Sequence, residues 1–278
     1  MKLTTITTPD GTRAARVDGD QVVMIEEPSI ADVGELLAQP DWARLAAAAD
    51  GPVQALAAVE LGQLIRRPSK IICVGLNYRN HILEMGRDLP KYPTLFAKFA
   101  DTLIAPFDDI EAPGEDTQLD WEAELTVVIG GTVRRGSPTE AATAIAGYTV
   151  ANDISMRGYQ FRTKEWLQGK LWDRSTPVGP VLVTADEWSP GPTVRTVLNG
   201  EVMQEASTDD LVHDPIFLVE YVSTMITLRP GDLILTGTPG GVGHARKPPR
   251  YLIPGDVVET SIDGLGTLRN TVVARGEA

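Results

Sequence analysis

The sequence predicts an α+β fold, in which a mixed β-roll or sandwich follows a small α+β domain. From about Pro68 onward, short β-branched segments alternate with loops rich in Gly and Pro, a pattern typical of sheet proteins. Only two long helical patterns interrupt these segments, and that is too few helices to cross over between parallel strands. We therefore expect neither a doubly wound parallel sheet nor a (β/α)8 barrel.

The N-terminal part, residues 1–66, is predicted to be the smaller domain, and residues 67–278 the larger one. Three strands are expected before residue 25, separated by turn signals at Pro9-Asp10-Gly11 and Asp18-Gly19-Asp20. Ala- and Leu-rich stretches then predict three short helices, at 29–37, 41–49 and 53–59. Few polar residues cluster in this part, which indicates a structural role.

The larger domain is predicted to contain seven strands and two helices. The strands are KIICVG, TLFAKF, AELTVVIGG, GYTVAND, GPVLVT, DLILTGTP and DVVETSI. The helices are expected at 154–167 and 215–226, and the second begins with Asp214 as its N-cap and Pro215 in the first helical position.

Charge and composition exclude several classes of function. The net charge is −13, from 25 Lys and Arg against 38 Asp and Glu, which argues against binding nucleic acid or an anionic membrane. No apolar stretch reaches the roughly 18–20 residues that span a bilayer, and the first residues lack the apolar region of a secretory signal. Cys73 is the single cysteine, so disulfides within the chain and thiolate metal clusters are excluded. A reducing, cytoplasmic location is expected.

The strongest chemical signal is a series of acidic residues at alternate positions in the segment DWEAEL. If Asp120, Glu122 and Glu124 lie on one strand, their side chains share a face, about 6–7 Å apart in succession. The strand continues as a fully apolar run, so these like charges lie at the margin of the core, where they repel. A divalent cation with hard oxygen ligands, Mg²⁺, Mn²⁺ or Ca²⁺, resolves that conflict. The alternative is a solvated edge strand whose charges prevent edge pairing.

A second group of polar residues follows the strand GYTVAND. Asp153 ends that strand, and Arg157 and Gln160 follow it at helical spacing on one face. From these residues alone, a surface ion pair between Asp153 and Arg157 is the preferred interpretation. Lys98 and Lys170 are likewise expected to be exposed lysines.

Two loops carry further candidate groups. His81 and Glu84 are three residues apart on a predicted helical turn, and a carboxylate that orients an imidazole is the usual arrangement for activating water. Their segment is either a lid over a site or a surface helix with a chance pair. The loop TGTPGGVG lacks the spacing of nucleotide-binding loops, and Pro239 removes a backbone donor from its middle. It either brings N–H groups and the Thr238 hydroxyl to an anion or is a plain turn.

Between residues 70 and 275, the chain resembles the fumarylacetoacetate hydrolase family. Eight blocks occur in order: GLNYRNHILEMG, PTLFAKF, LDWEAELTVVIG, GYTVANDISMRGYQ, KLWDRSTPVGP, NGEVMQEASTDDL, TLRPGDLILTGTPGGVG and YLIPGDVVETSIDGLGTLRN. The resemblance implies the mixed β-roll or sandwich catalytic domain of this family. It also implies that the N-terminal domain is that of the smaller bacterial members.

The resemblance also assigns site residues. The implied metal ligands are Glu122, Glu124 and Asp153, with Asp120 just outside the ligand set. The metal is implied to be Mg²⁺, with Mn²⁺ or Ca²⁺ as alternatives. The other residues implied to act on the substrate are His81, Glu84 and Lys170 in catalysis, and Arg157, Gln160 and Thr238 in binding.

The implied activity is hydrolytic C–C cleavage of a 2-oxo acid with a second carbonyl, of the acylpyruvate or fumarylpyruvate type, through a metal-stabilised enolate. The alternatives are a 2-hydroxyhepta-2,4-diene-1,7-dioate isomerase and an oxaloacetate-type decarboxylase of aromatic catabolism. The partners implied are a small anionic oxo acid and, as is usual in the family, a second copy of the chain. A non-catalytic binding protein on the same fold is a further alternative, which the His81/Glu84 pair disfavours.

Overall fold

The computed structural model describes residues 1–27, 29–84, 86 and 88–276, and for Glu84 the backbone alone. The six helices in this part of the chain are α1 (Val33–Leu37), α2 (Trp42–Ala47), α3 (Arg79–Glu84), α4 (Pro138–Ala144), α5 (Arg157–Gln160) and α6 (Pro215–Met225). Among the described residues, no helix has the length and apolar character needed to cross a membrane.

Eighteen strands account for most of the regular structure in the described residues. The first nine are β1 (Lys2–Thr8), β2 (Gly11–Asp18), β3 (Gln21–Met24), β4 (Val53–Ala55), β5 (Ile71–Gly75), β6 (Thr94–Lys98), β7 (Leu103–Ile104), β8 (Ile110–Ala112) and β9 (Leu119–Asp120). The others are β10 (Ala123–Ile129), β11 (Ile145–Asn152), β12 (Ser155–Met156), β13 (Thr176–Thr184), β14 (Thr193–Leu198), β15 (Glu201–Ser207), β16 (Leu233–Leu235), β17 (Val257–Ile262) and β18 (Gly266–Ala274). The predicted α+β class is therefore confirmed.

The strands form three sheets with mainly antiparallel pairing. The largest has the order β4-β3-β2-β1-β13-β11-β10-β16-β5-β6, with β7 paired to β13. A five-stranded sheet has the order β15-β14-β17-β18-β8, and β12 pairs with β9. The parallel pairs in the described residues are β5 with β16, β7 with β13 and β8 with β18. The few helices explain why parallel pairing is rare.

The N-terminal strands extend the large sheet. β1 pairs antiparallel with β13, with Lys2 opposite Val183 and Leu3 opposite Leu182. β2, β3 and β4 then continue the sheet outward. The division of the chain into two domains after residue 66 stays a prediction, and the two parts share one hydrogen-bonded sheet.

The centre of the large sheet is β10 beside β11, and every residue of both strands is buried. Leu125, Val127 and Ile129 pack into one apolar cluster, whereas Val128 packs into another on the opposite face. Burial on both faces explains the continuous apolar run in the sequence. Glu124, near the start of β10, is therefore a buried acid at the margin of the apolar core. Cys73, on β5, is buried.

Two helix predictions are wrong, and three are confirmed, because α1, α2 and α6 lie within the predicted ranges 29–37, 41–49 and 215–226. Residues Val53–Ala55 form a strand that pairs with β3, and a 3-10 turn at Leu56–Ala58 replaces the expected helix. The predicted helix 154–167 is reduced to α5, because Ser155 and Met156 pair with β9 and the Asp116 carboxylate accepts the Tyr159 N–H. Helix α6 begins as predicted, since the Asp214 carboxylate accepts the N–H of Phe217.

Candidate active site

The site begins where the acidic segment changes direction between two strands. β9 ends at Asp120 and β10 begins at Ala123, so Glu122 lies in the break between them. The N–H of Glu122 donates to Asn152 Oδ1 over 2.9 Å, and its carbonyl accepts the N–H of Asp153 over 2.9 Å. This break corrects the expectation of one uninterrupted strand, and it places Glu122 directly beside Asp153.

Glu122, Glu124 and Asp153 form a compact group of carboxylates. One oxygen from each lies within 4.8 Å of the others. Glu124 is 1% exposed, Asp153 is fully buried, and Glu122 is 9% exposed. Three convergent carboxylate oxygens in a nearly dry site suit a hard divalent cation better than a thiol-seeking metal. The geometry is thus compatible with the three ligands named from the sequence.

The three carboxylates lie close together in a buried place, and a bound cation would relieve their mutual repulsion. Burial raises the pKa of Glu124 well above its ordinary value, and the carboxylates of Asp153 and Glu122 raise it further. Burial also opposes ionisation of Asp153, but the ammonium groups of Lys170 and Lys98 outweigh it and hold its pKa below the usual value. A bound cation would favour the ionised form of all three acids.

Lys98 and Lys170 are buried, which corrects the expectation that they are exposed. Lys170 Nζ lies 2.8 Å from Glu122 Oε2 and 2.7 Å from Asp153 Oδ2. Lys98 Nζ lies 2.6 Å from Asp153 Oδ1. Burial disfavours the charged form of Lys170, but these carboxylates raise its pKa above the ordinary value, so it is an ammonium ion in this environment. Lys98 was not assigned to the site from the sequence, although its place between the apolar residues Phe96-Ala97 and Phe99 was a signal of burial.

Arg157 is also buried, and it does not form the surface pair with Asp153 that was preferred from the sequence. Its Nε lies 2.8 Å from Asp120 Oδ2, and its Nη1 lies 2.7 Å from Glu122 Oε1. The same Nη1 donates to Gln160 Oε1 over 2.7 Å. Arg157 and Gln160 therefore share one surface, as the spacing predicted. The Asp120 carboxylate binds the Nε of the guanidinium and fixes its position.

Three backbone N–H groups, two in the TGTPGGVG loop and one directly after it, donate to acidic residues of the protein itself. The N–H of Gly237 donates to Glu124 Oε2 over 2.7 Å. The N–H groups of Gly243 and His244 donate to the two oxygens of Asp120, over 2.7 and 2.9 Å. These three donors fix acidic residues, so the predicted delivery of N–H groups to an anionic ligand does not apply to them. Thr238 and Val242 are the residues of the loop that line the cavity.

A cavity of about 380 Å³ lies against the carboxylate group. Six of the nine residues named from the sequence line it: His81, Glu122, Arg157, Gln160, Lys170 and Thr238. Glu124 and Asp153 complete the acidic group beside Glu122. The side chain of Glu84 lies outside the part of the chain that the structure describes, so its pairing with His81 stays a prediction.

The cavity also has walls that the sequence did not reveal. Phe96 and Trp166 meet edge to face, with ring centroids 5.8 Å apart, and both line it. A Cβ on Gly75 would lie 2.1 Å from the Trp166 ring, so this close contact requires glycine. His244 lines the cavity too, and its Nδ1 is 3.0 Å from the Tyr251 hydroxyl. Trp166 and His244 lie in short 3-10 turns, Trp166–Gly169 and Gly243–Ala245, where no periodic pattern could identify them.

Comparison with known proteins agrees with this architecture. The family described as fumarylacetoacetate (FAA) hydrolase C-terminal matches residues 70–273. Human mitochondrial oxaloacetate tautomerase FAHD2A is 42% identical over 235 residues, which are 83% of this chain and 75% of the human protein.

Two solved structures are similar over nearly the whole chain. The 2-hydroxyhepta-2,4-diene-1,7-dioate isomerase from Mycobacterium marinum has a TM-score of 0.81 and 34% identity, over 100% of both chains. Maleylpyruvate hydrolase from Sphingobium sp. SYK-6, solved with manganese(II) and pyruvate, has a TM-score of 0.81 and 28% identity, over 99% of both chains. With a family match over most of its length and enzymes among its relatives, the chain belongs to the fumarylacetoacetate hydrolase family and is an enzyme of that family.

Proposed function

We propose that this protein is a metal-dependent enzyme that acts on 2-oxo acids with a second carbonyl group, and that it cleaves a C–C bond hydrolytically through an enolate. One observation carries the proposal. Three buried carboxylates within 4.8 Å of one another adjoin a cavity that is also lined by Arg157 and Lys170. On a protein with a net charge of −13, these cationic groups attract a small anion to this place.

In this proposal, Glu122, Glu124 and Asp153 hold the metal. Mg²⁺ is the metal that we expect, and Mn²⁺ or Ca²⁺ would suit the same oxygen ligands. Manganese is supported by its presence in the related maleylpyruvate hydrolase. When bound, the cation supplies Lewis-acid stabilisation of the negative charge that develops on the 2-oxo group.

The residues of the chain then have separate tasks. Arg157 and Lys170 offset the negative charge of the substrate, while Gln160 and Thr238 orient it by hydrogen bonds. His81, oriented by Glu84, removes a proton from the water that attacks the distal carbonyl. The water oxygen bonds to C4, the C3–C4 bond breaks, and its electron pair forms the enolate of pyruvate. The proton returns to C3, which gives pyruvate and a carboxylic acid.

A second candidate function also passes through an enolate, that of the intact substrate, and needs no water. Proton transfer alone would make the protein a keto–enol tautomerase of oxaloacetate or an isomerase of 2-hydroxyhepta-2,4-diene-1,7-dioate. The similarity to the human oxaloacetate tautomerase and to the Mycobacterium marinum isomerase favours this alternative. Decarboxylation of oxaloacetate, by loss of CO₂, gives the enolate of pyruvate, as the hydrolysis of an acylpyruvate does.

A panel assay tests the proposal. Acetylpyruvate, fumarylpyruvate, oxaloacetate and 2-hydroxyhepta-2,4-diene-1,7-dioate would be compared with Mg²⁺ and with Mn²⁺. We expect turnover of an acylpyruvate that is lost after exhaustive chelation and restored by either metal, because the enolate needs the cation. Fast tautomerisation of oxaloacetate without acylpyruvate cleavage would favour the second candidate. Full turnover after chelation, or background rates on every substrate, would contradict both.

The substitution His81→Ala separates the reactions that share the enolate. We expect it to abolish acylpyruvate hydrolysis, because water is no longer deprotonated, while sparing much of the oxaloacetate decarboxylation, in which CO₂ leaves directly. Initial rates on both substrates measure this. Mn²⁺ titration serves as the control, since His81 is not among the proposed ligands and the affinity should be unchanged. An equal loss of both activities would contradict this division of tasks.

The partners and the location of the protein are also part of this proposal. A small anionic oxo acid is the substrate, and neither nucleic acid nor a membrane is expected as a partner. A homodimer and a cytoplasmic location stay predictions, and the name of the human relative places that protein in mitochondria. Gel filtration with light scattering would measure the oligomeric state.

A further inference from the structure

We infer that Gln204 is a positioning residue, which compels the Thr238 hydroxyl to donate its proton into the cavity, toward an anionic oxygen of the substrate. Gln204 lies on β15, it was not named from the sequence, and its side chain does not line the cavity. It acts through its hydrogen bond to Thr238. The identity of the substrate as an anionic oxo acid rests on the proposed function.

The carboxamide of Gln204 has one orientation, because backbone groups fix both of its ends. Its Oε1 accepts the N–H of Ala123 over 3.1 Å and the hydroxyl of Thr196 over 2.7 Å. Its Nε2 donates to the carbonyl of Pro239 over 2.9 Å and to Thr238 Oγ1 over 2.8 Å. A flipped amide would place Oε1 against the carbonyl of Pro239 and Nε2 against the N–H of Ala123, so neither end could form its hydrogen bond. Gln204 is only 1% exposed, so water cannot relieve that conflict.

This orientation decides the role of the Thr238 hydroxyl. Because Gln204 Nε2 can only donate, Thr238 Oγ1 must accept, and its own proton points elsewhere. Within the described residues, the Thr238 hydroxyl has no hydrogen-bond acceptor, and Thr238 lines the cavity beside Arg157 and Gln160. The hydroxyl is thus prepared as a donor, and a carboxylate or enolate oxygen is the acceptor that gains most from it.

Gln204 also has a structural role, which the test must separate from positioning. Its bond to Ala123 supports the first residue of β10, between Glu122 and Glu124. If support of the strand were its whole contribution, removing it would weaken ligand binding whether or not Thr238 has a hydroxyl. If it acts through Thr238, its removal matters only while that hydroxyl is present.

A double-mutant cycle measures this difference. Oxalate, a compact dianion that resembles the enolate of pyruvate, would be titrated calorimetrically into the Mg²⁺-loaded protein and its variants Gln204→Met, Thr238→Val and the double variant. We expect each single variant to bind oxalate about tenfold more weakly, and Gln204→Met to cause no further loss in the Thr238→Val background. An equal loss in both backgrounds would overturn the inference.

Thr196→Val is the matched control. It removes the hydroxyl that donates to Gln204 Oε1 and leaves Ala123, Pro239 and Thr238 to orient the amide. We expect its oxalate affinity to stay within about twofold of the wild type. A tenfold loss in this variant would overturn the inference, since it would show that any weakening around Gln204 has the same effect.

Gln204→Glu provides a second test if the Met variant does not fold. It preserves the shape and the acceptor for Ala123 but changes the group facing Thr238 from a donor to an acceptor, so the threonine proton turns away from the cavity. We expect at least the same tenfold loss of oxalate affinity, and wild-type affinity would overturn the inference. The proposed function fails separately if the wild type neither binds oxalate nor turns over any oxo acid.

Discussion

Replacing Glu124 with Gln is expected to lower kcat/KM for an acylpyruvate by about a thousandfold or more, because one of the three metal ligands loses its charge. Glu124 is the most enclosed of the two glutamates, and its Oε2 already accepts the N–H of Gly237. The amide oxygen of Gln can still accept that bond, so the loop should remain in place. The predicted defect therefore lies in cation binding and not in folding.

Titration with Mn²⁺ and thermal unfolding test this explanation together. We expect the Mn²⁺ affinity of the variant to fall in parallel with its activity, while the Tm of the chelated protein rises, since one of three mutually repelling acids is neutral. Glu201→Gln, an exposed glutamate on β15, should change neither quantity. Wild-type Mn²⁺ affinity in the Glu124 variant would contradict the assignment of Glu124 as a ligand.

Replacing Lys170 with Met is expected to lower kcat/KM about a hundredfold or more and also to destabilise the protein. The activity falls because the positive charge beside the cavity is lost. Stability falls because the Lys170 ammonium contacts the carboxylates of Glu122 and Asp153, and removing one partner from a buried ion pair costs about 3–5 kcal/mol. Both the loss of activity and the loss of stability follow from removing the Lys170 ammonium, but they are measured separately.

Urea unfolding in the presence of a chelator gives the change in stability, and initial rates with Mg²⁺ give the change in activity. Lys164→Met is the matched control, because Lys164 is exposed and should leave both quantities unchanged. Lys170→Arg retains the charge but not the compact ammonium group, so it should recover part of the stability and little of the activity. A Met variant as stable as the wild type would contradict the contacts described here.

The sequence predicted those parts of the fold that local patterns determine. The apolar run after Glu124 identified a strand buried on both faces, and Asp214 followed by Pro215 located the start of α6. The two wrong helix predictions fall on segments that pair with a strand far away in the sequence. Val53–Ala55 has helix-forming neighbours but pairs with β3, and Ser155 pairs with β9. A local stretch of sequence does not reveal which distant strand it will pair with.

The candidate site shows the same limit. The three acids, Arg157 and Gln160 were found by their spacing and by the family resemblance, and the structure brings them together. Burial of Lys98 and Lys170 was not predicted, since an isolated lysine is ordinarily exposed and only its acidic partners make burial tolerable. The role of Gln204 depends on four hydrogen bonds to other elements, so no motif could reveal it.

The pairing of β1 with β13 has a consequence for how the chain is made. Lys2 and Leu3 leave the ribosome well before their partners Val183 and Leu182 are synthesised. The first hairpin can form locally, yet β1 keeps one edge open until translation has passed β13. During that interval, the nascent chain presents an unpaired strand to other nascent chains. The large sheet therefore stays open at β1 until β13 has been synthesised.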